Sequence, residues 1–397
     1  MKSLMSSIRG YYYSKLFNNS MSSLNSYLKK RGITDPWKIE PKPVKKFIQA
    51  VIIPAYAESE YLPLTLASID TNNYSELKET LVIIVVNNAS DSPKQIRNDN
   101  KITLRDLNTI KYRFTLGIVD ATSYGLELPI KQAGVGLARK IGIDLALPYL
   151  LSTDSIIFCT DSDTIVSKNY IKNVKNYLSS TKAQAAVVGF QHLESNDPNQ
   201  EEAIRKYEKY LLNTAENIKN AGSPYGYVAM GSTIVCTVQA YCLVGGMPRK
   251  KVTEDFYFLQ ELAKFCGVHT IPDVLVYPSP RPISRVYLGT GYRMKQAQNG
   301  FNFESLYYSE VAFQLLSEWI NLGSTAFQIK LSQLRRNIFS IHPNLTDYLL
   351  KEGIADVWDK LQENTSSEIH LANQFHRWFD GLKTIRFLRH FSKMSST

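Results

Sequence analysis

Short apolar runs alternate with stretches of helical spacing along the first half of the chain, and this alternation constrains the fold more than any other feature. The runs at 47–53, 81–86, 155–160 and 185–190 are each ended by proline or polar residues. Such runs are typical of fully buried strands in a parallel sheet. Residues 58–69 carry Leu and Ile three or four positions apart, as an amphipathic helix does. The strand–helix alternation therefore predicts a doubly wound α/β sheet.

The length and composition predict a soluble globular chain with several domain-sized parts. The chain has 397 residues, of which 44% are hydrophobic and 21% charged. We predict a basic N-terminal extension over 1–46, an α/β domain over 47–300 and a mostly helical region over 301–397. There is no uninterrupted apolar run of about 18 residues and no apolar signal-peptide core, so neither a transmembrane helix nor secretion is expected. Four cysteines without C-x-x-C spacing favour a reduced, cytoplasmic protein.

The positive charge is concentrated at the two ends of the chain. The formal net charge is +10, and residues 1–46 and 377–397 together carry a larger positive charge than that. The rest of the chain is therefore slightly negative and nearly neutral. A nucleic-acid enzyme would more often place its basic residues along a working groove, so no nucleic-acid partner is expected. The basic ends fit peripheral contact with an anionic membrane surface or an acidic partner. Solubilising termini are the alternative.

Polar clusters follow three of the predicted strands. They are 54–58 after the first, 87–91 after the second and 161–163 after the third. Ligands of open α/β sheets bind beyond the carboxyl ends of the strands, where these clusters would converge. A binding site is therefore predicted at this edge of the sheet.

Two acidic motifs could carry chemistry at that edge. Asp161 and Asp163 would repel each other unless a cation lies between them, and Mg²⁺ or Mn²⁺ prefers such oxygen ligands. The alternative for Asp163 is a cap at the start of the next helix. Asp255, in Thr253-Glu254-Asp255, is either a general base or a residue that stabilises a helix N-terminus.

The ordered set of motifs resembles the family-two glycosyltransferases of GT-A fold. Val51–Glu58 reads V-I-I-P-A-Y-A-E, which is similar to the V-I-I-P-A-Y-N-E opening of that family. Four further landmarks follow in family order and extend the resemblance over roughly residues 48–290: Asn87–Asp91, Gly136–Lys140, Asp161–Asp163 and Thr253–Asp255.

The resemblance implies a role for each matching residue. It implies Mn²⁺ or Mg²⁺ at Asp163 and Asp161, with Asp255 as the base that deprotonates the acceptor. The residues implied to bind the nucleotide sugar are Pro54, Ala55, Tyr56, Glu58, Asn88, Asp91, Arg139 and Asp161. Independently of the resemblance, closely spaced glycines flanked by arginines predict a flexible loop that closes over the diphosphate or an anionic acceptor. Its residues are Arg281, Arg285, Gly289 and Gly291. The alternative for that loop is a turn that makes salt bridges to a neighbouring domain.

Three departures from the family pattern stand out. Asn87 and Asn88 replace the usual paired aspartates, and Lys140 replaces the usual Asn after the motif arginine. The stretch 277–281, where the family often has a metal-binding His, has none. The third protein ligand of the metal is therefore not assigned.

The predicted function is metal-dependent transfer of a sugar, expected to be a hexose. The donor would be a nucleoside diphosphate sugar and the acceptor a hydroxyl of a sugar, glycan or lipid-linked molecule, with inversion at the anomeric carbon. A degenerate nucleotide-sugar-binding or scaffold protein and a nucleotidyltransferase are the alternatives. We expect a cytoplasmic protein, with possible contact at the inner face of the membrane.

Overall fold

A computed structural model describes residues 23–33, 35–283 and 288–394 in two compact units. One unit contains the described residues up to Glu201 together with Ala229–Lys295. The other contains Glu202–Val228 together with the described residues from Gln296 onward. Residues 1–22 of the predicted N-terminal extension lie outside the described residues. The predicted three-part division of the chain stays a prediction.

The first unit is built on one mixed sheet. Its strand order is β3-β2-β1-β4-β7-β6-β8-β5. The strands are β1 (Gln49–Ala55), β2 (Thr80–Asn87), β3 (Thr115–Ala121), β4 (Ile156–Cys159), β5 (Thr164–Val166), β6 (Ala185–Phe190), β7 (Ile234–Thr237) and β8 (His269–Pro278). The first four strands pair in parallel, whereas β7 runs antiparallel to both β4 and β6. The predicted doubly wound mixed sheet is thus confirmed.

Helices flank the sheet and make up most of the second unit. They are α1 (23–31), α2 (Leu62–Asp70), α3 (Tyr74–Leu77), α4 (Lys94–Leu107), α5 (Val135–Ala146), α6 (Tyr170–Thr181), α7 (Pro198–Asn220), α8 (Val238–Leu243), α9 (Glu254–Cys266), α10 (Thr290–Ala297), α11 (Glu310–Thr325), α12 (Leu331–Ile341), α13 (Pro343–Lys351), α14 (Ile354–Glu363), α15 (Glu368–Trp378) and α16 (Gly381–Met394). Among the described residues, none of these helices is both long and apolar enough to cross a bilayer.

The central strands β1 and β2 are buried at every position. Parallel strands covered on both faces need continuous apolar side chains, which explains the unbroken Val and Ile runs of the sequence. β1 pairs with β2 on one side and with β4 on the other, so the three carboxyl ends lie next to one another. The three polar clusters of the sequence therefore meet at one edge, as predicted.

Helix α5 packs against β1 and β2 and is buried along nearly its whole length. Its Asp144 accepts hydrogen bonds from the Tyr27 hydroxyl at 2.8 Å and from the Ile33 amide at 2.9 Å. Lys140, which departs from the family pattern, pairs with Asp144 at 2.9 Å and also donates to the Tyr27 hydroxyl. Lys140 and Asp144 therefore hold the segment 23–33 against helix α5.

The second unit has its own apolar core. Trp319 of α11 and Trp358 of α14 are fully buried there. The apolar positions of the basic C-terminal stretch also point into this core: Phe375, Phe379, Phe387, Leu388 and Phe391. These side chains pack within their own unit.

Candidate active site

The D-x-D sequence forms a tight turn between β4 and β5. The Thr160 amide donates to the Ile52 carbonyl at 3.1 Å and extends the pairing with β1. The Thr164 amide donates to the Asp161 carbonyl at 3.2 Å and closes the turn. From α2, the Thr65 hydroxyl donates to the Ser162 carbonyl at 2.8 Å. The backbone of the turn is therefore held from the sheet and from a helix.

Arg139 joins this turn to the start of α9. Its Nη2 lies 2.5 Å from Asp161 Oδ1, and its Nη1 lies 2.5 Å from Glu254 Oε1. The Arg139 side chain is 1% exposed and that of Glu254 is 4% exposed. Burial alone would lower the pKa of Arg139, but Asp161 and Glu254 more than offset it, so the pKa is raised. The guanidinium stays charged and fixes the spacing between Asp161 and α9.

Two glycines make room for this arrangement. A side chain at Gly231 would collide with the Arg139 guanidinium. A side chain at Gly136 would collide with the Lys250 carbonyl and with Glu254. The close approach of α5 to the start of α9 therefore depends on Gly136, and the position of the Arg139 guanidinium depends on Gly231.

The candidate base, Asp255, is half-buried in the first turn of α9. The preceding Thr253 has a left-handed backbone with a φ of 66°, which is strained for a β-branched residue. Asp255 Oδ1 accepts a hydrogen bond from the Phe256 amide at 2.7 Å. Burial raises the pKa of Asp255, and it also raises the pKa of neighbouring Glu254 to about 7. A carboxylate whose pKa is raised is a stronger proton acceptor.

Arg281, just after β8, binds the second aspartate of the turn. Its Nε lies 2.8 Å from Asp163 Oδ2, and its Nη2 lies 2.6 and 2.5 Å from the two carboxylate oxygens of Glu58. The guanidinium carbon lies 4.1 Å from the centre of the Tyr61 ring. Burial raises the pKa of Asp163, and Arg281 acts in the opposite direction. Asp163 and Glu58 therefore share one cation.

The residues predicted to bind the nucleotide sugar lie along the same edge. Pro54 and Ala55 end β1 and are buried, Tyr56 is half-buried and Asp91 is exposed. Beside Ser90, the residue before Asp91, lies an open cleft of about 540 Å³ that is also lined by residues 125 and 127–132.

Asn88 holds the loops of this edge together. Its Oδ1 accepts from Asn100 Nδ2 at 2.9 Å, and Asn100 Oδ1 accepts from the Ala57 amide at 2.9 Å. Asn87 Nδ2 donates to the Ala55 carbonyl at 2.9 Å. The two amides that replace the family's aspartates thus serve as links between the β1 and β2 loops.

The predicted phosphate or acceptor loop is described in part. Arg285 lies outside the described residues. Gly289 has a positive φ of 87°, and the Gly291 carbonyl accepts from the Ile283 amide at 2.9 Å. Buried His192 contacts the Thr290 hydroxyl at 3.0 Å. The loop is therefore anchored to the end of β6 at this point.

The oxygen donors of Asp161 and Asp163 fit a hard divalent cation in type. Within the described ranges, no group of three or more His, Cys, Asp or Glu side chains is placed to hold a metal. Mg²⁺ is commonly held by only one or two carboxylates, with substrate phosphates and water as the other ligands. The two aspartates fit such a site in type. Asp163 would bind the cation with a carboxylate that also accepts a hydrogen bond from Arg281.

Comparisons with known proteins agree with the motifs. The family model described as Glycosyl transferase family 2 matches residues 50–234. This segment belongs to that family. The matched segment is accordingly that of a glycosyltransferase family. The predicted mixed α/β sheet and the helical C-terminal region are confirmed.

Solved structures give more distant similarities. The chain is 13% identical to residues 1–349 of S. aureus TarS in complex with UDP-GlcNAc, with a TM-score of 0.43 over 84% of this chain and 91% of that one. It is 17% identical to the mannosyltransferase PcManGT of Pyrobaculum calidifontis in complex with GDP-Man and Mn²⁺, with a TM-score of 0.42 over 89% of this chain and 94% of that one. Such low scores decide neither donor nor acceptor. No curated protein matches the sequence.

Two contacts of the site were not predicted from the sequence. Glu254 lies in the motif Thr253–Asp255, which predicts no role for it, although it is the second partner of Arg139. Arg281 was predicted as a phosphate or acceptor ligand, not as the partner of Glu58 and Asp163. The absence of a His at 277–281 is the signal in the sequence that a residue of another type, here Arg281, contacts the D-x-D turn at this point.

Proposed function

We propose that the protein transfers a hexose from a nucleoside diphosphate sugar to a hydroxyl acceptor with inversion, and that Asp255 is the general base. The observation that supports this most is the Arg139 bridge. It links Asp161, on the predicted leaving-group side, to Glu254, the residue before the predicted base. In this proposal, the bridge sets the distance between the groups that stabilise the leaving diphosphate and the base that activates the acceptor, both of which a single displacement requires.

The donor would lie along the edge formed by β1, β2 and β4. In this proposal, Pro54, Ala55 and Tyr56 contact the nucleoside, and the open cleft beside Ser90 and Asp91 receives the base. Asn88 acts by shaping that cleft, because its carbonyl oxygen is already bound by Asn100. The diphosphate would then lie over the D-x-D turn.

The chemical step needs a base and a stabilised leaving group. Asp255 accepts the proton of the acceptor hydroxyl while that oxygen forms a bond to the anomeric carbon. The bond from the anomeric carbon to the diphosphate oxygen breaks, and the diphosphate takes its electron pair. Asp163 and Asp161 would hold a divalent cation, which would supply positive charge to stabilise the departing diphosphate. Arg139 does not transfer a proton; it holds Asp161 and α9 in register.

Asp255→Asn tests the role of the base. We expect the rate of transfer to fall by about 10²–10⁴ because the proton acceptor is lost. Donor binding, measured by calorimetry with UDP or GDP and Mn²⁺, should change little, since the amide is nearly isosteric. Transfer and donor hydrolysis would be followed across a panel of nucleotide sugars.

Asp154→Asn is the matched control, because Asp154 is an exposed aspartate away from the site. Its rate should equal that of the unmodified protein. Unchanged transfer by Asp255→Asn would remove Asp255 from the mechanism. Metal-linked nucleotide binding without turnover on any donor would instead favour the binding or scaffold alternative.

We also propose a cellular location for the protein. The net positive charge of both ends fits peripheral contact with an anionic membrane surface from the cytoplasmic side. Sedimentation with anionic and neutral vesicles tests this, and equal binding to both would contradict it.

A further inference from the structure

Arg281 binds Asp163, one of the two aspartates that are proposed to hold the metal ion. Its three hydrogen bonds, of 2.5–2.8 Å, involve Nε and Nη2 and end on Asp163 and Glu58. Among the described residues, Arg281 Nη1 donates no hydrogen bond. The guanidinium fork therefore has two further N–H donors for an anion.

We propose that Arg281 is a resident counter-cation that competes with the divalent metal for Asp163, so that the metal binds well only together with the nucleotide diphosphate. This inference rests on the proposed function. Arg281 is then a positioning residue, and tight binding of the metal depends on whether the nucleotide diphosphate is bound.

The charges around Asp163 support this competition. Asp163 and Glu58 contribute two negative charges, and Arg281 contributes one positive charge. Asp161, the other carboxylate of the proposed metal site, adds a third negative charge, so a divalent cation would bring this group of charges to zero. The cation would nevertheless be repelled by the guanidinium, because both would share Asp163 as a ligand. A diphosphate relieves this repulsion, because it brings negative charge to both cations. Metal and nucleotide should therefore strengthen each other's binding, as linkage requires.

The burial of the three groups makes the exchange feasible. Glu58 is 6% exposed and needs a permanent partner, since a buried unpaired carboxylate is costly. Asp163 and Arg281 are each 18% exposed, so the bond between them can open toward solvent. Arg281 can keep Glu58 through Nη2 while Nε leaves Asp163 and turns to a phosphate. Arginine suits such a change because its planar fork binds phosphate as well as carboxylate.

A purely structural role is the competing explanation. Arg281 also stacks on Tyr61 and joins the loop after β1 to the end of β8. If that were its only role, a substitution would change stability but not the affinity for metal. Metal binding in the absence of nucleotide therefore separates the two explanations.

The test measures Mn²⁺ binding by electron paramagnetic resonance of the free ion, first with Mn²⁺ alone and then with UDP or GDP. Arg281→Gln should bind Mn²⁺ alone at least tenfold more tightly than the unmodified protein. The gain in Mn²⁺ affinity on adding nucleotide should shrink in this variant. Arg113→Gln is the control, because Arg113 pairs with Asp70 on the surface at 3.3 Å.

A second variant keeps the test decisive. Arg281→Lys retains the charge but cannot reach both carboxylates in the same geometry, so its Mn²⁺ affinity should lie between the other two. Equal Mn²⁺ affinity in the Gln variant and the unmodified protein, including none detectable in either, overturns the proposal. If Arg281→Gln does not fold, an Mn²⁺ affinity of Arg281→Lys equal to that of the unmodified protein overturns the proposal.

Failure of the proposed function would look different. No donor would then be turned over and no nucleotide bound by any variant, whereas the comparison of Mn²⁺ alone would still decide the role of Arg281.

Discussion

Two arginines bridge carboxylates at the D-x-D turn, and they differ in their environment. Arg139 lies within helix α5, is 1% exposed and binds Asp161 and Glu254. Arg281 lies after the end of β8, is 18% exposed and binds Asp163 and Glu58. Of the two aspartates of the motif, Asp161 is thus held by a buried arginine and Asp163 by a more accessible one.

The comparison shows how one short motif can combine fixed and exchangeable parts. A fully buried ion pair is expensive to form, and removing one partner leaves an uncompensated charge. Arg139 therefore cannot move without unfolding its surroundings. Arg281 is closer to water, where a second ligand can replace one of its bonds at lower cost. The rigid bridge keeps the geometry of the reaction, and the accessible one can respond to ligands.

The largest expected effect is on stability at Arg139. Arg139→Met should lower the free energy of unfolding by about 3–5 kcal/mol, because Asp161 and Glu254 lose their shared cation. Arg281→Met should cost clearly less, since the Arg281 side chain is 18% exposed whereas that of Arg139 is 1% exposed. Urea unfolding followed by circular dichroism measures both.

Arg105→Met serves as the surface control, because Arg105 pairs with Asp106 in an exposed position. It should change the free energy of unfolding by no more than about 1 kcal/mol. Equal losses at Arg139 and Arg281 would show that the two bridges do not differ as their burial indicates.

The next effect concerns the pH dependence of stability. Burial raises the pKa of Glu254 from 4.5 to about 7. The folded protein then holds a proton that the unfolded chain releases between these two values, so the free energy of unfolding should fall as the pH rises from about 4.5 to 7. Glu254→Gln should remove this part of the slope.

Urea titrations at several pH values between 4.5 and 8 measure that slope. Glu202→Gln is a suitable control, since Glu202 is an exposed surface glutamate. A slope that is unchanged in Glu254→Gln would mean that Glu254 is ionised throughout this range.

The smallest effect is expected at Tyr61, whose ring faces the Arg281 guanidinium at 4.1 Å. Tyr61→Leu should cost about 0.5–1 kcal/mol of unfolding free energy through the loss of the cation–π contact. Tyr74→Leu, at an exposed tyrosine, should cost little. If Arg281→Gln abolishes the difference between Tyr61→Leu and its parent, the contact with Arg281 is the cause.

Prediction from the sequence worked where local pattern and burial coincide. The runs that became β1, β2 and β4 are buried strands, and their apolar residues could be read directly. The pattern of residues 92–132 predicts no element, although the structure has a helix and a strand there. Helix α4 buries only Asn100, Thr103 and Leu107, and edge strand β3 is half-buried at three positions. Neither element has the continuous apolar pattern on which a prediction depends.

By itself, the sequence determined the sheet, the edge at which its polar residues meet and the family to which the catalytic segment belongs. These follow from short-range patterns and from the order of motifs along the chain. Only the tertiary structure decided the partners of Arg139 and Arg281, because Glu254 and Glu58 are 115 and 223 residues away from them along the chain. Which carboxylate a charged side chain binds depends on the packing that brings the two together, and no local pattern records it.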